Sequence, residues 1–168
     1  MSDESARFTD AAALAASDEN VLLRQSLAGA FGLAAEAEAA AFRRELTRVV
    51  AQAARHGTPA ALLEIHLTGL TEGPGSAGSA RAVSELLAEL IRATDFLART
   101  GDRRFGLILD HLDQDSAIDA ADRLVRCITV AVPGAHAVIS VTGILAGDSL
   151  ADVLARAERN MAAAEAEA

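Results

Sequence analysis

At 168 residues the chain is long enough to bury a core and short enough to be read as a single domain. Its formal charge of −9 excludes nonspecific nucleic-acid binding and docking on an anionic membrane, both of which need a basic surface. Its single cysteine, Cys127, excludes an internal disulfide and fits a reducing cytoplasm, and no run of about 18 uncharged apolar residues is present to span a bilayer.

Residues 1–18 are small and polar, begin with the acidic Ser2-Asp3-Glu4-Ser5, and lack a signal-peptide pattern. Asp18-Glu19-Asn20 offers a helix start, and Val21, Leu22, Leu23, Leu27 and Phe31 follow at roughly helical spacing before Gly32 interrupts. A second helix is expected over residues 34–56, with Phe42, Leu46, Val49 and Val50 as its apolar stripe and Gly57-Thr58-Pro59 as its stop. Residues 60–67 read as a strand. Residues 68–79 contain four glycines and a proline and read as a loop. Residues 80–92 carry Val83, Leu86, Leu87, Leu90 and Ile91 on one helical face. Two short strands, 95–98 and 105–109, flank residues 99–104 as a β-hairpin. Residues 113–127 form a helix with Ile118, Ala121, Leu124 and Val125 inward, residues 135–145 a strand, and residues 148–168 an Ala-rich final helix. The order β-α-β-β-α-β-α predicts an α/β (α+β) fold with one mixed central sheet flanked by helices. With no Trp or Tyr, the core must be aliphatic, supplemented by five Phe.

Residues 92–105 read R-A-T-D-F-L-A-R-T-G-D-R-R-F. In order and spacing this stretch is similar to the hairpin of the GGDEF family, the diguanylate cyclases that make cyclic di-GMP from two GTP molecules. The family reads approximately R-x-x-D-x-x-x-R-x-G-G-[DE]-E-F, and Arg92, Asp95, Arg99, Gly101 and Phe105 stand in that register. Ala121-Asp122-Arg123-Leu124-Val125 resembles the next helix of the family, and residues 156–165 resemble its last, R-A-D-x-A-L-Y-x-A-K. Phe42-Arg43-Arg44-Glu45-Leu46 is similar to the segment after the family's opening T-G-L-x-N-R, which is itself absent. The resemblance implies a nucleotidyl-cyclase-like domain over residues 34–168, preceded by a helical extension over residues 1–33.

The departures bear on chemistry. The family holds divalent cations with carboxylates, which neutralise a triphosphate and activate the attacking hydroxyl. Its D-I-D-x-F-K strand becomes Glu64-Ile65-His66-Leu67-Thr68-Gly69, leaving one longer acid. Its G-G-[DE]-E-F turn becomes Gly101-Asp102-Arg103-Arg104-Phe105, with a permanent cation at Arg103 in place of a carboxylate. The guanine-recognising N-D-x-x-G-H-x-x-G-D gives way to a shorter segment at 71–79, and the last-helix lysine becomes Glu165. Loss of cyclase activity is therefore expected, with no catalytic residue, metal or cofactor.

In the family, R-x-x-D forms an inhibitory site for cyclic di-GMP. An arginine fork can address the guanine O6/N7 edge and a carboxylate can accept from guanine N–H groups. Arg92 and Asp95 stand at that pattern, and Arg123 aligns with the further arginine that completes the site. The expectation is a cyclic di-GMP receptor in the cytoplasm that signals to a protein partner. The competing expectation is a ligand-independent interaction module, in which Val21, Leu22, Leu27 and Phe31 dock another protein or form a homodimer. Arg and Asp three apart at a helix end also form plain solvated pairs worth under about 1 kcal/mol.

Other candidates carry less. Glu64 and His66 share a strand face but are too few for a metal. Arg103 and Arg104 could grip a phosphate of GTP, though a solvated turn explains them as well. His111 and Asp113 lack a nucleophile, Arg99 reads as structural, and Cys127 reads as core.

Overall fold

The computed structural model describes residues 36–70 and 74–168, the side chains of 74–77 excepted. Residues Glu38–Ala168 form one compact unit. The extension expected over residues 1–33, with Val21, Leu22, Leu27 and Phe31, lies outside the described residues.

Helix α1 occupies residues 36–56, followed by β1 (Ala60–Thr68), α2 (Pro74–Leu90), β2 (Phe96–Arg99), β3 (Arg104–Asp110), α3 (Gln114–Ala131), β4 (His136–Ile144) and α4 (Leu150–Glu167). The strands form one sheet in the order β2-β3-β1-β4. All three pairings are antiparallel, so the strand–helix alternation holds while the sheet is not mixed. The strands joined through α2 (β1 and β2) run the same way, as do those joined through α3 (β3 and β4). Each such pair is separated in the sheet by an oppositely directed strand, so no parallel neighbours arise.

Strand alternation assigns the two faces. On β1, Ala61, Leu63, Ile65 and Leu67 face one way. They pack with Phe105, Leu107 and Leu109 of β3, Val83 and Leu87 of α2, and Ala117, Ala121, Leu124 and Ile128 of α3. Ala60 and Leu62 face the other way, against Phe42, Leu46, Val49 and Ala53 of α1 and Val153 and Ala157 of α4. The second row continues as Glu64 and His66. One face of the sheet thus changes from apolar to polar along its central strand.

The helix boundaries have local causes. Gly57 closes α1 at φ +64°, its N–H reaching the Ala53 carbonyl at 2.8 Å, a left-handed C-terminal conformation that glycine adopts without a Cβ penalty. Asp113 caps α3 by accepting from the Ser116 N–H at 2.8 Å. Ser149 and Asp152 form a reciprocal capping box on α4.

Helices α2 and α3 also differ from the sequence expectation. The loop expected over residues 68–79 is already helical from Pro74. Proline is well placed in a first turn, where its missing N–H is not needed. Ala80, Val83 and Leu87 supply burial that offsets the helix cost of Gly75 and Gly78. On α3 the inward stripe is Ala117, Ala121, Leu124 and Ile128. Ile118, one residue and about 100° off that stripe, is 43% exposed.

Candidate functional site

The turn from α2 into β2 sets Arg92 and Asp95. The Asp95 carboxylate accepts from the Arg92 N–H at 2.9 Å, and the Asp95 N–H donates to the Arg92 carbonyl at 3.1 Å. The pair is therefore closed through the backbone. Among the described residues the Arg92 guanidinium has no hydrogen-bond or ion-pair partner. Helix α3 crosses the same face of the sheet and brings Arg123 alongside. Arg92, Asp95 and Arg123 line one cavity of about 350 Å³ floored by Leu107, Leu109 and Leu124. Arg123 is likewise unpaired among the described residues and exposed. Asp119 and Ser116, which the sequence reading did not single out, lie on the same helix face and also line the cavity. The signal was available: 116, 119 and 123 recur at helical spacing.

The hairpin turn is held by its own side chain. The Thr100 N–H donates to the Arg104 carbonyl at 2.9 Å. The Arg99 guanidinium donates to the carbonyls of Gly101 (2.9 Å) and Asp102 (2.7 Å). Arg103 is half-buried and Asp102 exposed. Phe105 is buried in the core between the sheet and α2/α3.

Arg104 turns to the opposite face, toward Glu165 of α4 at 3.0 Å. The same Glu165 oxygen lies 2.7 Å from His66 Nδ1. Glu64, beside them, is half-buried. Burial pushes its carboxyl above the usual range; Arg104 opposes this, while Glu158 and Glu165 add to it. Ser140 stands opposite Glu64 in the sheet register, and its buried hydroxyl has no partner among the described residues. Asp113 serves as the α3 cap, and His111, at φ +58°, contacts Asp110 (3.1 Å). Cys127 is half-buried.

Glu64→Gln is expected to raise stability at neutral pH. Because the folded-state pKa is raised, the native chain holds this proton more tightly than the unfolded chain. That stability is present below the ordinary glutamate range and is lost as pH rises through the folded value. Urea unfolding of both proteins across pH should show the gain from glutamine shrinking on acidification. Parallel profiles would exclude Glu64 as the source.

A four-stranded antiparallel sheet between two helical layers defines an α+β domain of the cyclase-like class. The chain belongs to the GGDEF family: the model described as "Diguanylate cyclase, GGDEF domain" matches residues 38–168. No curated protein matches it. Among solved structures it is similar to the GGDEF domain of DgcB from Caulobacter crescentus in complex with c-di-GMP (TM-score 0.69, 18% identity, 76% of this chain and 84% of that one). It is also similar to the FimX GGDEF domain from Pseudomonas aeruginosa (TM-score 0.61, 24% identity, 74% and 86%). A third similar structure is diguanylate cyclase SiaD in complex with its activator SiaC, from the same organism (TM-score 0.68, 16% identity, 98% and 68%). Among the described residues, no helix is long and apolar enough to cross a membrane.

Proposed function

We propose that this chain is a catalytically inactive GGDEF domain acting as a cytoplasmic cyclic di-GMP receptor, with residues 34–168 as the binding domain and residues 1–33 as a helical extension. The observation carrying the reading is the convergence of Arg92, Asp95 and Arg123 on one cavity, with both guanidinium groups unpaired among the described residues. Two arginine forks and a carboxylate match a ligand with guanine edges and phosphates. The DgcB structure holds c-di-GMP, and SiaD is bound to a protein activator. These likenesses support the same ligand and a protein partner here.

Loss of cyclase chemistry rests on the other face. The family's divalent cations need converging carboxylates, and the residues here do not fit them. Arg104 stands beside Glu64, and Glu165 is engaged with Arg104 and His66. Among the described residues no group of three or more His, Cys, Asp or Glu is arranged to hold a metal. A guanidinium cannot release its proton to make room for a cation.

Isothermal titration with cyclic di-GMP tests the receptor reading. Saturable binding is expected, weakened by about ten- to a hundredfold in Arg92→Ala, the value of a lost charge-assisted hydrogen bond. No heat at tens of micromolar ligand, or unchanged affinity in the variant, overturns it. Incubation with GTP and Mg²⁺ or Mn²⁺ should yield no cyclic di-GMP; product that disappears with Glu64→Ala would restore the enzyme.

A further inference from the structure

We infer that Asp119 is a guanine-selecting contact of the cavity that holds Arg92, Asp95 and Arg123. The inference rests on the receptor reading above. Elsewhere on this surface some charged residues three or four apart close on each other, Arg81 on Glu85 at 2.8 Å and Arg48 on Glu45 at 2.6 Å, while Asp122 and Arg126 on α3 stay apart. Asp119 and Arg123 have the same spacing, with the acid N-terminal to the base, the favourable order on a helix. They make no pair, and among the described residues neither has any other partner. Both line the cavity instead, over an apolar floor.

The site thus offers two guanidinium groups and two carboxylates. A dinucleotide of two guanines presents two acceptor edges, O6/N7, and two donor edges, N1–H and the N2 amine. Asp95 already accepts from the Arg92 N–H through one oxygen, leaving the other oxygen for one base. Asp119 takes the donor edge of the second. Adenine has no N1–H and sets a lone pair at that position, so a carboxylate there repels it.

The sign of one substitution separates this role from general electrostatics. The chain carries −9 and the ligand is an anion, so removing any nearby acid strengthens binding if the acid acts only through its charge. Asp119 as a base contact weakens it. Isothermal titration of the full chain, Asp119→Asn and Asp119→Ala should use cyclic di-GMP and cyclic di-AMP. Asp115→Asn, an exposed acid on the same helix outside the cavity lining, serves as the charge control. The expected result is a loss of about tenfold or more for cyclic di-GMP in both Asp119 variants. The preference over cyclic di-AMP should narrow by a similar factor, and Asp115→Asn should bind no more weakly than the unaltered chain. Unchanged or tighter cyclic di-GMP binding in the Asp119 variants, or an unchanged preference, overturns the assignment while leaving the receptor reading intact. No binding by the unaltered chain overturns both.

Discussion

Arg156→Ala is expected to destabilise the domain by about 2–3 kcal/mol, because two acceptors lose their donor together. Arg156 of α4 donates to the Gly143 carbonyl at 2.7 Å and to both oxygens of Asp148, which is only 10% exposed. Asp148 also accepts from the Leu145 N–H at 2.8 Å. One guanidinium thereby closes the turn from β4 into α4 and covers a carbonyl on the outer edge of the sheet. Asn160, one turn further along α4, covers the Val141 carbonyl in the same way at 3.0 Å. Arg156 holds the Asp148 carboxyl below the usual range. A depressed folded-state pKa contributes stability that is present above the ordinary aspartate range and lost as pH falls through the folded value. The stability gap between the unaltered protein and Arg156→Ala should therefore be widest near neutrality and close on acidification. Denaturant titrations at several pH values measure it, and a pH-independent gap would assign the effect to packing alone.

Gly106→Ala is expected to cost about 2 kcal/mol, a fall in melting temperature of about 4–8 °C for a domain of this size. Gly106 lies mid-strand on β3, opposite Glu64 of β1 and Ala98 of β2. A methyl group there would stand 2.3 Å from Cζ of Phe42, whose ring crosses the sheet at that point and contacts Phe96 at 6.4 Å between centroids. Phe42 is 9% exposed and has little room to retreat. Phe42→Leu shortens the side chain where the methyl would sit. The double variant should therefore be less destabilised than the sum of the two singles by about 1 kcal/mol. Thermal unfolding of the four proteins tests this; strict additivity would mean that Phe42 is not the obstacle.

Much of the fold was legible because periodicity records which side of an element faces apolar neighbours. Phe42, Leu46, Val49 and Val50 announced α1 and are buried there together with Ala53. Gly57 announced its end, and the Gly101 turn announced the hairpin. The misplaced features were those that depend on distant partners. The start of α2 at Pro74 is supported by side chains packing on the sheet, which outweigh its glycines. Ile118 looked as apolar as its neighbours, but Ala117 is the residue that the sheet covers. Strand direction is likewise a property of pairing, and no local pattern in β4 disclosed that it runs antiparallel to β1.

The candidate sites divide along the same line. The sequence alone determined the kinds of groups available: Arg92 and Asp95 beside a tight turn, Arg103 and Arg104 where carboxylates would be needed, and one acid at Glu64. Charge type is intrinsic to a residue and survives any fold. Only the tertiary structure decided which groups meet. It carried Arg123 and Asp119 on α3 to the cavity of Arg92, and turned Arg104 through the sheet to Glu165, away from that cavity. The physical reason is the strand's two-residue alternation set against the helix's 3.6-residue turn. Neighbours in sequence are sent to opposite faces, while residues far apart are brought to one.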